Sequence, residues 1–191
     1  MNIANRVTIV RLILTPIGVG ILFLPLTYRF LLSIGCFTVA VVTDFLDGYL
    51  SRRLKIVTRF GAHLDIIADK VLLLAYLFVL QLHDIYPLWL ISILVAREAV
   101  IVGYLALVRS PAAPHVLLSA KIKVVFQGVS IWIGLLSIAV QHELSSFSAS
   151  AATLQHAAVL TMLVAMLLGF LAPWSYLRSL LLPLLGWTRR S

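Results

Sequence analysis

The sequence predicts an all-α, polytopic integral membrane protein with six transmembrane helices, in a single domain over residues 1–191. Three observations predict it. The 191 residues are 62% hydrophobic and 12% charged, against about half and about a quarter in an ordinary soluble domain. Mean hydropathy is +1.08. Apolar stretches long enough to cross a bilayer, about 20 residues each, recur along the whole chain.

The spans run over 8–27, 30–50, 64–82, 87–108, 119–140 and 154–173, with short polar connections and no room for a soluble domain between them. The first contains Pro16 and Pro25, which predict a bent or short helix whose freed backbone groups neighbouring helices satisfy. It has neither the short apolar core nor the small-residue cleavage site of a signal peptide. The second holds the single cysteine, Cys36, which excludes an intrachain disulfide and reads as a small core residue. The third includes "VLLLAYLFVL", continuously apolar where a membrane β-barrel would alternate. The fourth carries Arg97 and Glu98 near its middle, and the fifth opens on Lys121 and Lys123. Beyond the sixth, Ser179 to Trp187 is too short to span and is expected to continue the helix or lie at the interface. The four tryptophans mostly sit near span ends, as interface anchors do.

Charge sets the orientation. With the N-terminus inside, the cytoplasmic segments collect 12 of the 15 basic residues; Arg29 falls outside, and Lys70 and Arg97 lie within spans. That asymmetry follows the positive-inside rule. Topology and anionic headgroups account for the net charge of +8 without nucleic acid.

The acids are the anomaly. Of seven, Asp84 and Glu143 fall in external loops, where water solvates them. Four others, Asp44, Asp47, Asp65 and Asp69, lie between positions 44 and 69. An acid at membrane depth costs several kcal/mol, so it marks a functional site by default. Spacings of three and four place each pair on one helix face. The loop 51–60 joins two antiparallel helices, which brings both pairs to the cytoplasmic side. Four facing carboxylates repel unless something positive lies between them. Hard divalent cations take oxygen ligands, and two such ions about 4 Å apart can clamp a phosphoryl group. Gly48 and Gly61 suit close approach of a ligand to the backbone, and the planar fork of Arg52 suits a phosphate. Arg52, Arg53, Lys55 and Arg59 taken alone would be ordinary positive-inside charges. His63, with no second histidine near it, reads as interfacial.

These residues carry a resemblance. "DFLDGYLSRRLKIVTRFGAHLDIIAD" resembles the signature D-x2-D-G-x2-A-R-x8-G-x3-D-x3-D of the CDP-alcohol phosphotransferase family. Asp44, Asp47, Gly48, Arg52, Gly61, Asp65 and Asp69 match, and Ser51 stands where alanine is usual. The resemblance implies a six-helix enzyme of the bacterial inner membrane, usually a homodimer, with its site open to the cytoplasm. It implies transfer of a phosphatidyl group from CDP-diacylglycerol to an alcohol, with CMP released. By position, Asp44, Asp47, Asp65 and Asp69 would carry two Mg²⁺ or Mn²⁺ ions, and Asp69 would also be the general base. Gly48, Ser51, Arg52 and Gly61 would line the CDP pocket.

The likeness extends toward one branch, the phosphatidylglycerophosphate synthases, whose acceptor is glycerol 3-phosphate. "NIANRVTIVRLILTPI" is similar to that branch's opening, with Asn5, Thr8 and Arg11 spaced by three and so on one face. "VAREAVIVG" is similar to its fourth-helix segment, and "SAKIKVVFQ", carrying Lys121, Lys123 and Gln127, resembles "GKxKTxxQ". Acceptor binding is therefore expected from Arg97, Lys121, Lys123, Arg11 and Thr8, since a phosphomonoester needs cations beyond those holding the nucleotide. Arg97 is too deep to snorkel and is expected to face a polar cavity. Glu98 is expected to pair with a cation from another helix rather than with Arg97. Ile66, Ala120 and Val124 depart from the branch's proline, glycine and threonine. Phosphatidylglycerol (giving cardiolipin) and inositol phosphate are the alternative acceptors. The competing class, an ion- or proton-coupled transporter, would show internal repeats and midplane acids; neither is evident.

Overall fold

The computed structural model describes residues 3–54, 59–107, 118–144 and 149–184, with the side chains of 8–45, 67–100, 103, 122–144 and 149–170. The described residues form α1 (Ile3–Leu22), α2 (Arg29–Leu54), α3 (Arg59–Leu82), α4 (Leu88–Leu107), α5 (Leu118–His142) and α6 (Ala151–Leu184), with no strand among them. Helix ends depart from the apolar spans in a consistent way. α2 continues four residues past position 50 and α3 starts five before position 64, so helix covers much of the loop expected over 51–60. Hydropathy reports contact with an apolar medium, whereas a helix ends where its backbone hydrogen bonds end. α1 runs through Pro16 but stops at Leu22, before the turn that holds Pro25. α6 continues through 173 to Leu184, the first of the two outcomes expected for the C-terminal stretch.

Two segments, Ile122–His142 and Ala151–Phe170, are each long and apolar enough to cross a membrane. α5 packs along α6, α1 packs on α2 and α3, and α2 and α3 both reach α5; α4 leans on α3. The core at these crossings includes Phe30, Tyr76, Leu80, Ile131, Leu135 and Met162, all essentially inaccessible.

One glycine is required by close approach. A Cβ on Gly18 would lie 2.9 Å from the Cβ of Cys36 and would also strike the Tyr76 hydroxyl. Its absence lets α1 settle on α2 and α3. There the Gly18 carbonyl accepts from Ser33 Oγ at 2.8 Å, and the Tyr76 hydroxyl donates to the Ser33 carbonyl at 3.4 Å.

The end of the bundle opposite the acid motif is capped by polar groups. α3 ends at Leu82, and Asp84 in the turn after it has a left-handed φ of 57°, a conformation that aspartate tolerates better than most residues. Asp84 N donates to the Gln81 carbonyl at 3.0 Å and Ile85 N to the Leu80 carbonyl at 2.9 Å, the paired closure of a Schellman motif. Glu143 is more than a solvated loop acid. Its carboxylate accepts from Phe30 N at 2.6 Å and Leu31 N at 3.2 Å, which satisfies donors that the start of α2 leaves open. Phe30 in turn packs against His83 and His142, with ring centroids 5.3 and 5.4 Å away.

Candidate functional site

Two charged clusters meet on α3. In the first, Arg11 of α1 is 1% exposed. A buried guanidinium needs counter-charge, and among the described residues two supply it: Nη2 donates to Asp44 Oδ1 on α2 and Nη1 to Asp69 Oδ1 on α3. The carboxylates remain open to solvent, at 39% and 47% side-chain exposure. Thr15 Oγ1 donates to the Arg11 carbonyl at 2.8 Å, fixing the turn that carries Arg11. Thr8, three residues earlier and so on the same face, is also buried.

Arg11 thus bridges Asp44 of α2 and Asp69 of α3. Carboxylate oxygens from two helices converge on one cation, a donor set of the kind that suits a hard divalent ion. No group of three metal-ligating side chains gathers among the described residues. Asp47, Gly48, Ser51 and Arg52 lie on α2, Gly61 and Asp65 on α3, and Lys121 on α5. Their side chains fall outside the described residues.

The second cluster surrounds Glu98 of α4, 8% exposed. Its Oε1 accepts from Arg97 Nη1 and Lys123 Nζ, and its Oε2 from Lys70 Nζ. Arg97 Nε and Nη2 also donate to the Gly169 carbonyl on α6, at 3.1 and 2.5 Å. A Cβ on Gly169 would lie 3.0 Å from Arg97 Cζ, so any side chain there would push the guanidinium back by a few tenths of an ångström. Arg97 and Lys123 are buried, while the Lys70 side chain is 33% exposed. Glu98 pairs with cations from two other helices, as expected, but also with Arg97, because the long arginine stem brings its head around to its neighbour's carboxylate. Among the described residues, three cations around one carboxylate leave a net charge of +2.

The clusters touch through consecutive residues: Asp69 turns to Arg11 while Lys70 turns to Glu98. Of the residues expected to bind acceptor, Arg97 and Lys123 lie together in the cation cluster, whereas Arg11 joins the acids. Sequence reasoning did not single out Lys70 or Gly169. Lys70 had a local signal, lying directly after the last motif aspartate. Gly169 had none, since its role depends on an arginine 72 positions away.

A model of the CDP-alcohol phosphatidyltransferase family matches residues 1–181. The chain is 40% identical over 104 residues to the CDP-diacylglycerol–glycerol-3-phosphate 3-phosphatidyltransferase of Pseudomonas fluorescens, covering 53% of each chain. To the Bacillus subtilis protein of the same name it is 34% identical over 115 residues, covering 53% of this chain and 59% of that one. To the Escherichia coli protein of that name it is 39% identical over 104 residues, covering 52% and 56%. The chain thus spans about half the length of the curated relatives it matches. With the family model covering nearly all of the sequence, the chain belongs to the CDP-alcohol phosphatidyltransferase family.

Proposed function

We propose that this protein transfers the phosphatidyl group of CDP-diacylglycerol to glycerol 3-phosphate, giving phosphatidylglycerophosphate and CMP. The observation that carries the reading is the junction at Asp69 and Lys70. There an acid cluster suited to the diphosphate chemistry adjoins a cation cluster suited to a phosphomonoester. The named relatives support the same substrates.

In this reading Asp44, Asp47, Asp65 and Asp69 hold two Mg²⁺ or Mn²⁺ ions, which when bound neutralise charge on the phosphoryl oxygens. Gly48, Ser51, Arg52 and Gly61 hold the CDP moiety. Lys123, Arg97, Lys70 and Lys121 receive the acceptor's phosphate, with Thr8 and Arg11 bordering it. The Asp69 carboxylate takes the proton of the acceptor hydroxyl. The freed oxygen attacks the phosphorus bearing the diacylglycerol, and the bond from that phosphorus to CMP breaks, so CMP leaves with the electron pair. The net +2 of the cation cluster matches a phosphomonoester dianion. A diester such as phosphatidylglycerol, with a single charge, would leave it half-compensated, which disfavours cardiolipin formation.

Membrane embedding with six spans is part of the proposal. Every helix exposes large apolar side chains, among them Ile13, Val39, Phe78, Val100, Val125 and Leu167. Such continuous apolar surface is foreign to a water-facing monomer. The charge asymmetry supports a site at the cytoplasmic face, and the family resemblance supports a bacterial inner membrane and a homodimeric assembly.

The test is CMP release by purified protein given CDP-diacylglycerol, Mg²⁺ or Mn²⁺, and one acceptor at a time. Glycerol 3-phosphate is expected to support turnover, and phosphatidylglycerol, inositol phosphate and serine are not. Release with phosphatidylglycerol in place of glycerol 3-phosphate would overturn the acceptor assignment.

A further inference from the structure

The polar residues buried along α5 are Lys123, Gln127, Ser130 and Ser137, spaced by four, three and seven. That spacing puts them on one face. Three have partners. Lys123 donates to Glu98, Ser130 meets the Tyr86 hydroxyl at 2.6 Å and donates to the Ala158 carbonyl at 2.6 Å, and Ser137 donates to the Ala151 carbonyl at 2.9 Å. Gln127 is 2% exposed, yet among the described residues its Nε2 has no hydrogen-bond partner. A buried amide left without a partner is costly, more so where lipid rather than water surrounds the fold. Such a group persists where a ligand satisfies it.

Its place on the helix says which ligand. Gln127 lies one turn beyond Lys123 on the same face of α5, and Lys123 reaches the carboxylate that Arg97 and Lys70 share. A small molecule whose phosphate rests on those cations would present further oxygens there.

We propose that Gln127 is a binding residue for the acceptor, donating through Nε2 to an oxygen of the phosphomonoester held by Lys70, Arg97 and Lys123. This rests on the acceptor reading above and adds a neutral donor to its charged seat. A neutral amide adds orientation where charge alone would hold a phosphate in many poses.

The test compares Q127L and Q127M with the wild type in three measurements. These are the melting temperature without ligand, the melting shift on adding glycerol 3-phosphate, inorganic phosphate or glycerol, and the KM for each substrate. Expected are an unchanged or raised ligand-free melting temperature and an unchanged KM for CDP-diacylglycerol. The KM for glycerol 3-phosphate should rise roughly ten- to hundredfold, and the melting shift with glycerol 3-phosphate should be lost. Loss of the inorganic phosphate shift as well would place the donor on the phosphate; its retention would place it on a hydroxyl. An acceptor KM and melting shift equal to wild type would overturn the proposal. So would a lowered ligand-free melting temperature with both KM values raised alike, the mark of a structural glutamine. If wild type is stabilised by glycerol 3-phosphate but releases no CMP, the reaction assignment fails and the melting shifts still decide Gln127. If it is neither stabilised nor active, both fail.

Discussion

Replacing Glu98 by glutamine removes one negative charge from among three cations while keeping the side-chain shape. In the wild type the carboxylate accepts from Arg97, Lys123 and Lys70. In E98Q those cations face one another with no counter-ion among the described residues, and the cluster formed by those residues passes from a net +2 to +3. Arg97 and Lys123 are only 9% and 6% exposed, so water cannot take over the carboxylate's part. Removing one partner of a buried ion pair costs about 3–5 kcal/mol. Lys70 adds little to this because its third-exposed side chain is screened. In a chain of this size the loss corresponds to a fall of roughly 6–20 °C in melting temperature. Thermal unfolding in detergent, followed by dye labelling of the single cysteine, Cys36, reads it directly. The double variant E98Q/K123M should recover part of the loss, since it removes a buried charge that E98Q strands. An E98Q melting temperature within about 2 °C of wild type, well below the buried-pair range, would refute the ion cluster as a structural element. A double variant that merely sums the two single losses would do the same.

Three other outcomes follow from particular contacts. G169A puts a methyl group 3.0 Å from Arg97 Cζ, and the shift of a few tenths of an ångström that Arg97 must make stretches its bonds to the Gly169 carbonyl. A loss of about 1–3 kcal/mol is expected, read as a lower denaturation midpoint, with the acceptor KM raised more than the donor KM. E143A removes the acceptor for Phe30 N and Leu31 N and should cost about 0.5–2 kcal/mol without changing either KM. His83 gives a pH dependence. Burial holds its pKa below the ordinary 6.5, His142 and Arg29 add to the depression, and Asp84 opposes it. The unfolded chain therefore takes up this proton first, so the contribution is full above the ordinary histidine range and is lost as pH falls below it. Melting temperatures between pH 7.5 and 5.5 should fall more steeply in the wild type than in H83Q.

Much of this was legible in the sequence, and the remainder has a physical pattern. Apolar length located all six helices, because burial in an apolar medium is written in composition. It misplaced their ends at positions 50 and 64, where polar residues continue the backbone hydrogen bonds. Spacings of three and four, with a tight hairpin between, predicted that the acid pairs would face each other across divalent ions; the contact of Asp44 and Asp69 with Arg11, 33 and 58 positions away, was not in that pattern. No local pattern announces contacts of that separation, and the same holds for Gly169 beneath Arg97. Glu143 was legible as a loop acid but not as a cap for α2, since the helix it serves begins more than a hundred residues earlier.

In the proposed reaction Asp69 takes the acceptor's proton at the junction of the two clusters. CMP release by D69N with saturating CDP-diacylglycerol, glycerol 3-phosphate and a Mg²⁺ titration tests it most directly. A loss of about 10²- to 10⁴-fold that raised Mg²⁺ does not restore is expected, with the protein still folded. Turnover comparable to the wild type under the same conditions would contradict it.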